Sequence, residues 1–130
     1  MLTRVTKRDR IYTLLLLFVA FGMVIDFIFW PADITPITLN DLVQMVGIVV
    51  LCQLWQNADA VELDVDRSSG SWIATLLLPP LGIGMHLFQT RKWQIALPVF
   101  LLFWGGYFMS IIVASFLMEA IMNPTTFSFD

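Results

Sequence analysis

Few side chains in this sequence could do chemistry, and most of those stand near the ends of apolar runs. Asp26 lies near the end of the run 11–30, and Glu119 near the end of the run 95–122. An acid held inside a bilayer costs roughly 2.5–3.5 kcal/mol on insertion scales, so such residues are default candidates for a proton or ion path. Both sit within about two turns of a run end, where water reaches, and an interfacial role is the simpler reading. His86 is the only histidine. One imidazole can serve as the axial ligand of haem or chlorophyll, with aromatic residues packed around the ring. A hydrogen-bonded histidine at an interface is the plainer alternative. No second nitrogen or thiolate stands at metal-site spacing, so no intrachain zinc site and no resident cofactor are expected.

Cys52 is the only cysteine and falls inside an apolar run, which rules out an internal disulfide and suits a small buried hydrophobe. The acids Asp59, Glu62, Asp64 and Asp66 crowd the longest polar stretch. They lack the glycine and the spaced oxygen ligands of an EF-hand loop, and read as a solvated connection rather than a cation site. There is no nucleophile–histidine–acid set, no glycine-rich phosphate loop and no paired-acid motif. The sequence therefore predicts a protein that is not an enzyme.

The elements that must position these residues follow from composition. The hydrophobic fraction is 58% and the charged fraction 13%, against about 45–50% and about 25% in an ordinary soluble domain. A soluble fold of 130 residues has too much surface for its volume to hide that excess. It must face lipid or other protein. With a net charge of −3 and no basic face, nucleic acid is not an expected partner.

A crossing helix needs about 20 apolar residues, and runs 11–30, 38–56 and 95–122 each meet or approach this. The first has a basic flank but no small-residue cleavage site, and reads as an uncleaved span. The run 72–89 is interrupted by Pro79, Pro80 and Gly82, and is either a kinked span or a re-entrant hairpin. The expected fold is an all-α integral membrane protein with four transmembrane helices in two hairpins. Segment 1–57 carries the basic flank and first hairpin, 58–71 an acidic polar loop, and 72–130 the second hairpin and a short tail. Both termini would then be cytoplasmic in a bacterial host. The alternative is three spans plus a re-entrant Pro-Pro segment. It puts all seven Lys and Arg residues on one side, whereas four spans put Arg91 and Lys92 across from the rest; the positive-inside rule prefers the former.

Two blocks of the second half resemble a known family. LLLPPLGIG (76–84) is similar to the LPPLGV signature, and GYFMSIIVASF (106–116) to the GY-x-x-GII-x-A-x-Y block, of the small plasma-membrane proteolipid 3, or stress-associated proteolipid, family. The resemblance spans residues 73–116. Ser110 stands where that family has Gly, Met109 where it often has Pro, and Val113 where it often has His; the first half has no counterpart. What the resemblance implies is a two-helix hairpin over 72–122, hence four spans, and a link with membrane potential and stress.

Gly106, Ser110 and Ala114 recur every four residues and would form one close-packing helix face, directed either at a partner or at the protein's own helices. Gln44, Gln53 and Gln56 could bond between helices. These features point to a structural or accessory subunit of a larger membrane complex in the inner or plasma membrane. Its partners would be lipids and other transmembrane helices, in a hetero-complex or homo-oligomer. A homo-oligomeric pore or membrane-potential modulator using Asp26 and Glu119 is the alternative, and a haem- or pigment-binding subunit through His86 a second.

Overall fold

The computed structural model describes residues 5–29 and 37–123, and over these the chain is helical, with no strand among the described residues. Five helices follow one another: α1 (Lys7–Phe29), α2 (Leu39–Leu63), α3 (Ser69–Leu77), α4 (Pro79–Thr90) and α5 (Trp93–Met122). Polar residues set several of the boundaries. Thr38 caps α2 in a capping box, its hydroxyl accepting from Asp41 N while Asp41 Oδ2 accepts from Thr38 N, which satisfies two otherwise orphaned donors. At its far end α2 runs through Leu63 and stops at Asp64 in the left-handed conformation (φ 55°). The acidic stretch read as a loop is therefore largely helical, and Asp59 and Glu62 belong to α2.

Among the described residues, three helices are long and apolar enough to cross a membrane, namely α1, α2 and α5. The expected fourth span is instead two short helices. At 1.5 Å per residue, α3 is about 14 Å long and α4 about 18 Å, well short of a roughly 30 Å hydrocarbon core. Proline at the first two positions of α4 forbids continuation of α3, and Leu78 between them is extended (φ −150°, ψ 97°). The two helices double back on each other. Ser68 Oγ, just before α3, donates to Gln89 Oε1 at the end of α4 at 2.7 Å, so both open ends lie together. Gly82 permits the close approach: a Cβ there would overlap the side chain and backbone of Thr75.

Helix directions follow from named contacts. Arg8 meets Asp59 and Asp26 meets Asn40, so α1 and α2 are antiparallel. Tyr12 Oη donates to Phe103 O at 2.7 Å and Ser110 Oγ donates to Leu16 O at 2.9 Å, so α1 and α5 are parallel. The start of α1 and the end of α5 consequently lie at opposite ends of the bundle, where the two-hairpin reading had them together. α1 packs on both α2 and α5, and α4 is wedged between α2 and α5, with α3 outside it against α2. The core where these meet contains Leu15, Val19, Cys52, Trp55, Ile83, Leu87, Ala96 and Phe103. It lies in the half of the bundle that the hairpin fills.

Candidate functional site

The periodicity of α2 carries its inner face past the apolar residues into polar ones. Cys52, Trp55, Gln56 and Asp59 follow at three- and four-residue steps, and all four are buried. Asp59 is fully enclosed. Its Oδ1 accepts from Arg8 Nη1 at 2.9 Å and Arg91 Nη2 at 2.6 Å, and its Oδ2 from Arg91 Nη1 at 2.9 Å. His86 Nε2 lies 2.8 Å from the same Oδ2. An ionised carboxylate only accepts, so it selects the Nε2–H tautomer of the imidazole. The four contacts fill the carboxylate's capacity, and the Arg91 fork is bidentate, the geometry that makes such pairs strong.

Each partner comes from a different piece of chain: Arg8 from the first turn of α1, His86 from α4, and Arg91 from the link between α4 and α5. A second ion pair, Arg8 Nη2 to Glu62 Oε1 at 3.3 Å, flanks the first. The site is thus a clamp that closes one end of the bundle around Asp59. Trp55 stands edge-on to the His86 ring at 6.3 Å and against Phe103 at 4.8 Å, walling the clamp off from the apolar interior.

A polar seam continues along α2 and holds the hairpin. Gln56 Nε2 donates to Thr75 Oγ1, which itself donates to Ser71 O. Gln53 Nε2 donates to Trp72 O at 2.9 Å, and Arg67, in the α2–α3 link, donates to the Gln53 side chain and to Asn57 Oδ1. Burial pulls the Arg67 guanidinium below the usual arginine range; the Gln53 and Asn57 amides accept from its Nη1 and Nη2, while its buried Nε has no partner.

The residues singled out from sequence are dispersed. His86 is 1% exposed and its Nε2, the nitrogen an axial metal would use, faces Asp59. Asp26 and Glu119 share the far end of the bundle because α1 and α5 are parallel. Asp26 accepts from Asn40 Nδ2 at 2.9 Å, while Glu119 is exposed and no contact joins it to Asp26. Gly106, Ser110 and Ala114 turn toward α1: Gly106 lies under the Tyr12 hydroxyl, Ser110 bonds Leu16 O, and Ala114 is 7% exposed. The small-residue face serves internal packing. Pro79, Pro80 and Gly82 form the hairpin turn, so the first proteolipid-like block is a bend and the second lies within α5. Gln44 packs over Gly22. No group of three or more potential metal ligands occurs among the described residues.

Sequence reasoning missed Asp59, Arg8 and Arg91 as a unit. The readable signal was the unbroken helical spacing from Cys52 to Asp59, which places one acid of the stretch on the buried face and leaves the others outside. No family model matches the chain, and no curated protein or solved structure matches it either.

Proposed function

We propose that this chain is a small non-catalytic protein of the inner or plasma membrane that serves as a structural or accessory subunit of a larger membrane assembly. The observation that carries the reading is the closed clamp. The buried Asp59 is engaged by the buried His86 and by the part-buried Arg8 and Arg91, and these contacts tie the helices together. Acid–base or nucleophilic catalysis needs a group with a free valence facing a substrate, and the clamp offers none. α3 and α4 then form a re-entrant hairpin. The two prolines suit an apolar depth, because they lack the N–H groups that would be orphaned at the start of α4, while Leu78 N and Gly82 N bond to Ala74 O and Leu78 O.

The charge distribution supports a cytoplasmic N-terminus. Lys7, Arg8, Arg10, Arg67, Arg91 and Lys92 all belong to the clamp end, whereas Asp26, Asp41 and Glu119 belong to the other, which has no Lys or Arg among the described residues. That is the pattern the positive-inside rule associates with the cytoplasmic face. The assembly reading is tested by native mass spectrometry after mild extraction from the native membrane. A heteromeric complex of fixed ratio supports it; a protein that only ever emerges as a monomer with lipid sinks it.

A further inference from the structure

Asp59 is saturated by its partners, but the two guanidiniums that serve it are not. A guanidinium carries five N–H groups and stays protonated, so it binds anions without exchanging protons. Arg91 gives two N–H groups to Asp59 and one to Thr90 Oγ1. Arg8 gives one to Asp59 and one to Glu62, with its Nε 3.8 Å from Asp9. Both therefore keep N–H groups without an acceptor among the described residues. The Arg8 side chain is 26% exposed and that of Arg91 11%, so a ligand can reach them. Both border a groove of about 460 Å³ between α1, α2 and α5, within the usual size of ligand sites.

The groove is graded in depth. Along α2 it runs from Leu63, one turn beyond Asp59, to Trp55, one turn inside it, a depth of about 12 Å at 1.5 Å per residue. Arg8 and Arg91 stand at the outer part. Tyr12, one turn further along α1 than Arg8, forms the floor with Trp55 and Phe103. Tyr12 and Trp55 each pack on Phe103 with ring centroids 4.8 Å apart, and the Tyr12 hydroxyl is already bonded to Phe103 O, so the floor is apolar. Leu102 lines the open side and is 74% exposed. We propose that this groove holds the head of an anionic phospholipid. Its phosphodiester accepts from Arg8 and Arg91, its first methylenes lie on the aromatic floor, and its chains leave past Leu102 along α5.

Charge selects an anionic head over a zwitterionic one. The exposed Lys7, Arg10 and Lys92 stand at the same end and would repel the ammonium of a zwitterionic lipid. Asp59 and Glu62 are engaged by the arginines, and Asp9, the acid of the lining, pairs with Arg8 and accepts from Thr6 N. Asp64 and Asp66 lie beyond α2 and do not line the groove. Basic pockets between membrane helices are a recurring way of holding anionic heads. The proposal rests on the chain lying in a bilayer with the clamp end at its surface, and not on the presence of a protein partner.

The test is native mass spectrometry of the purified full-length protein in mild detergent. It is titrated with dioleoylphosphatidylglycerol, dioleoylphosphatidylcholine or glycerol phosphate. Expected is one saturable phosphatidylglycerol per chain, bound about fivefold or more tighter than phosphatidylcholine, the effect of one nearby cation. Arg8→Gln removes a donor to a charged acceptor and should weaken that binding about tenfold or more. Leu63→Glu sets a like charge at the outer part of the groove without touching the clamp, and should weaken it about threefold or more. Maleimide labelling of the buried Cys52 shows whether each variant keeps its bundle closed; if Arg8→Gln opens it, Leu63→Glu decides. Equal affinity for the two lipids, no saturable binding, or unchanged affinity in Leu63→Glu would overturn the proposal. So would glycerol phosphate binding as tightly as the lipid, since the ligand would then be a soluble phosphate ester.

Discussion

Asp59 concentrates the molecule's electrostatics in one carboxylate. Removing one partner of a buried ion pair typically costs about 3–5 kcal/mol, since it strands the other charge in a poor solvent. Asp59→Asn keeps the shape and removes the charge, leaving Arg8 and Arg91 facing a neutral amide, and a loss of about that size is expected. His86→Gln removes one hydrogen bond to a charged acceptor, and a smaller loss of about 1.5–3 kcal/mol follows. Asp9→Asn is the control: Asp9 pairs with Arg8 at 3.8 Å with its side chain half exposed, and such pairs contribute about 0–1 kcal/mol. Cys52 reports the outcome. It is fully buried, so a maleimide should label it only when the bundle opens. Labelling in detergent should be fastest in Asp59→Asn, intermediate in His86→Gln and unchanged in Asp9→Asn. If Asp59→Asn labels no faster than wild type, the clamp does not hold the bundle together.

Among the elements, the hairpin depends on how closely two helix backbones can approach. At Gly82 an added methyl group has nowhere to go, because the Thr75 backbone stands in its place. Gly82→Ala must push α3 away from α4, and overpacking of this kind costs about 1–3 kcal/mol. Gly105 has nothing near where its Cβ would be. Gly105→Ala should therefore only gain helix propensity, about 0.5–1 kcal/mol. Thermal unfolding of the two variants in one detergent should show shifts of opposite sign; a gain in both would mean the hairpin is looser than its geometry. Much of this level was legible in the sequence. The three long apolar runs gave three long helices, and Pro79, Pro80 and Gly82 marked the break. At the end of α2 the spacing from Cys52 marks Asp59 as an inward position, but Arg8, His86 and Arg91, the partners that enclose it, are distant in sequence and could not be read.

For the whole molecule, the number of crossings decides where the C-terminal end of α5 lies. Four crossings in two hairpins return the chain to the side it started from. The parallel arrangement of α1 and α5, fixed by Tyr12 with Phe103 and by Ser110 with Leu16, puts it at the opposite end of the bundle. Hydropathy alone could not separate these outcomes, because segment 72–89 is apolar enough for a span and only its folding back shortens it. The positive-inside rule prefers the re-entrant arrangement, which alone places every Lys and Arg on one side. Reporter fusions give the test in cells. A reporter active only in the cytoplasm should be active when joined before Lys7 or inserted in the α2–α3 link at Asp66, and inactive when joined after Met122. Activity at all three positions would require α3 and α4 to open into a full crossing. That would separate Ser68 from Gln89 and pull Arg91 from Asp59 to the far side of the membrane, so a cytoplasmic C-terminus would remove the clamp together with the three-span fold.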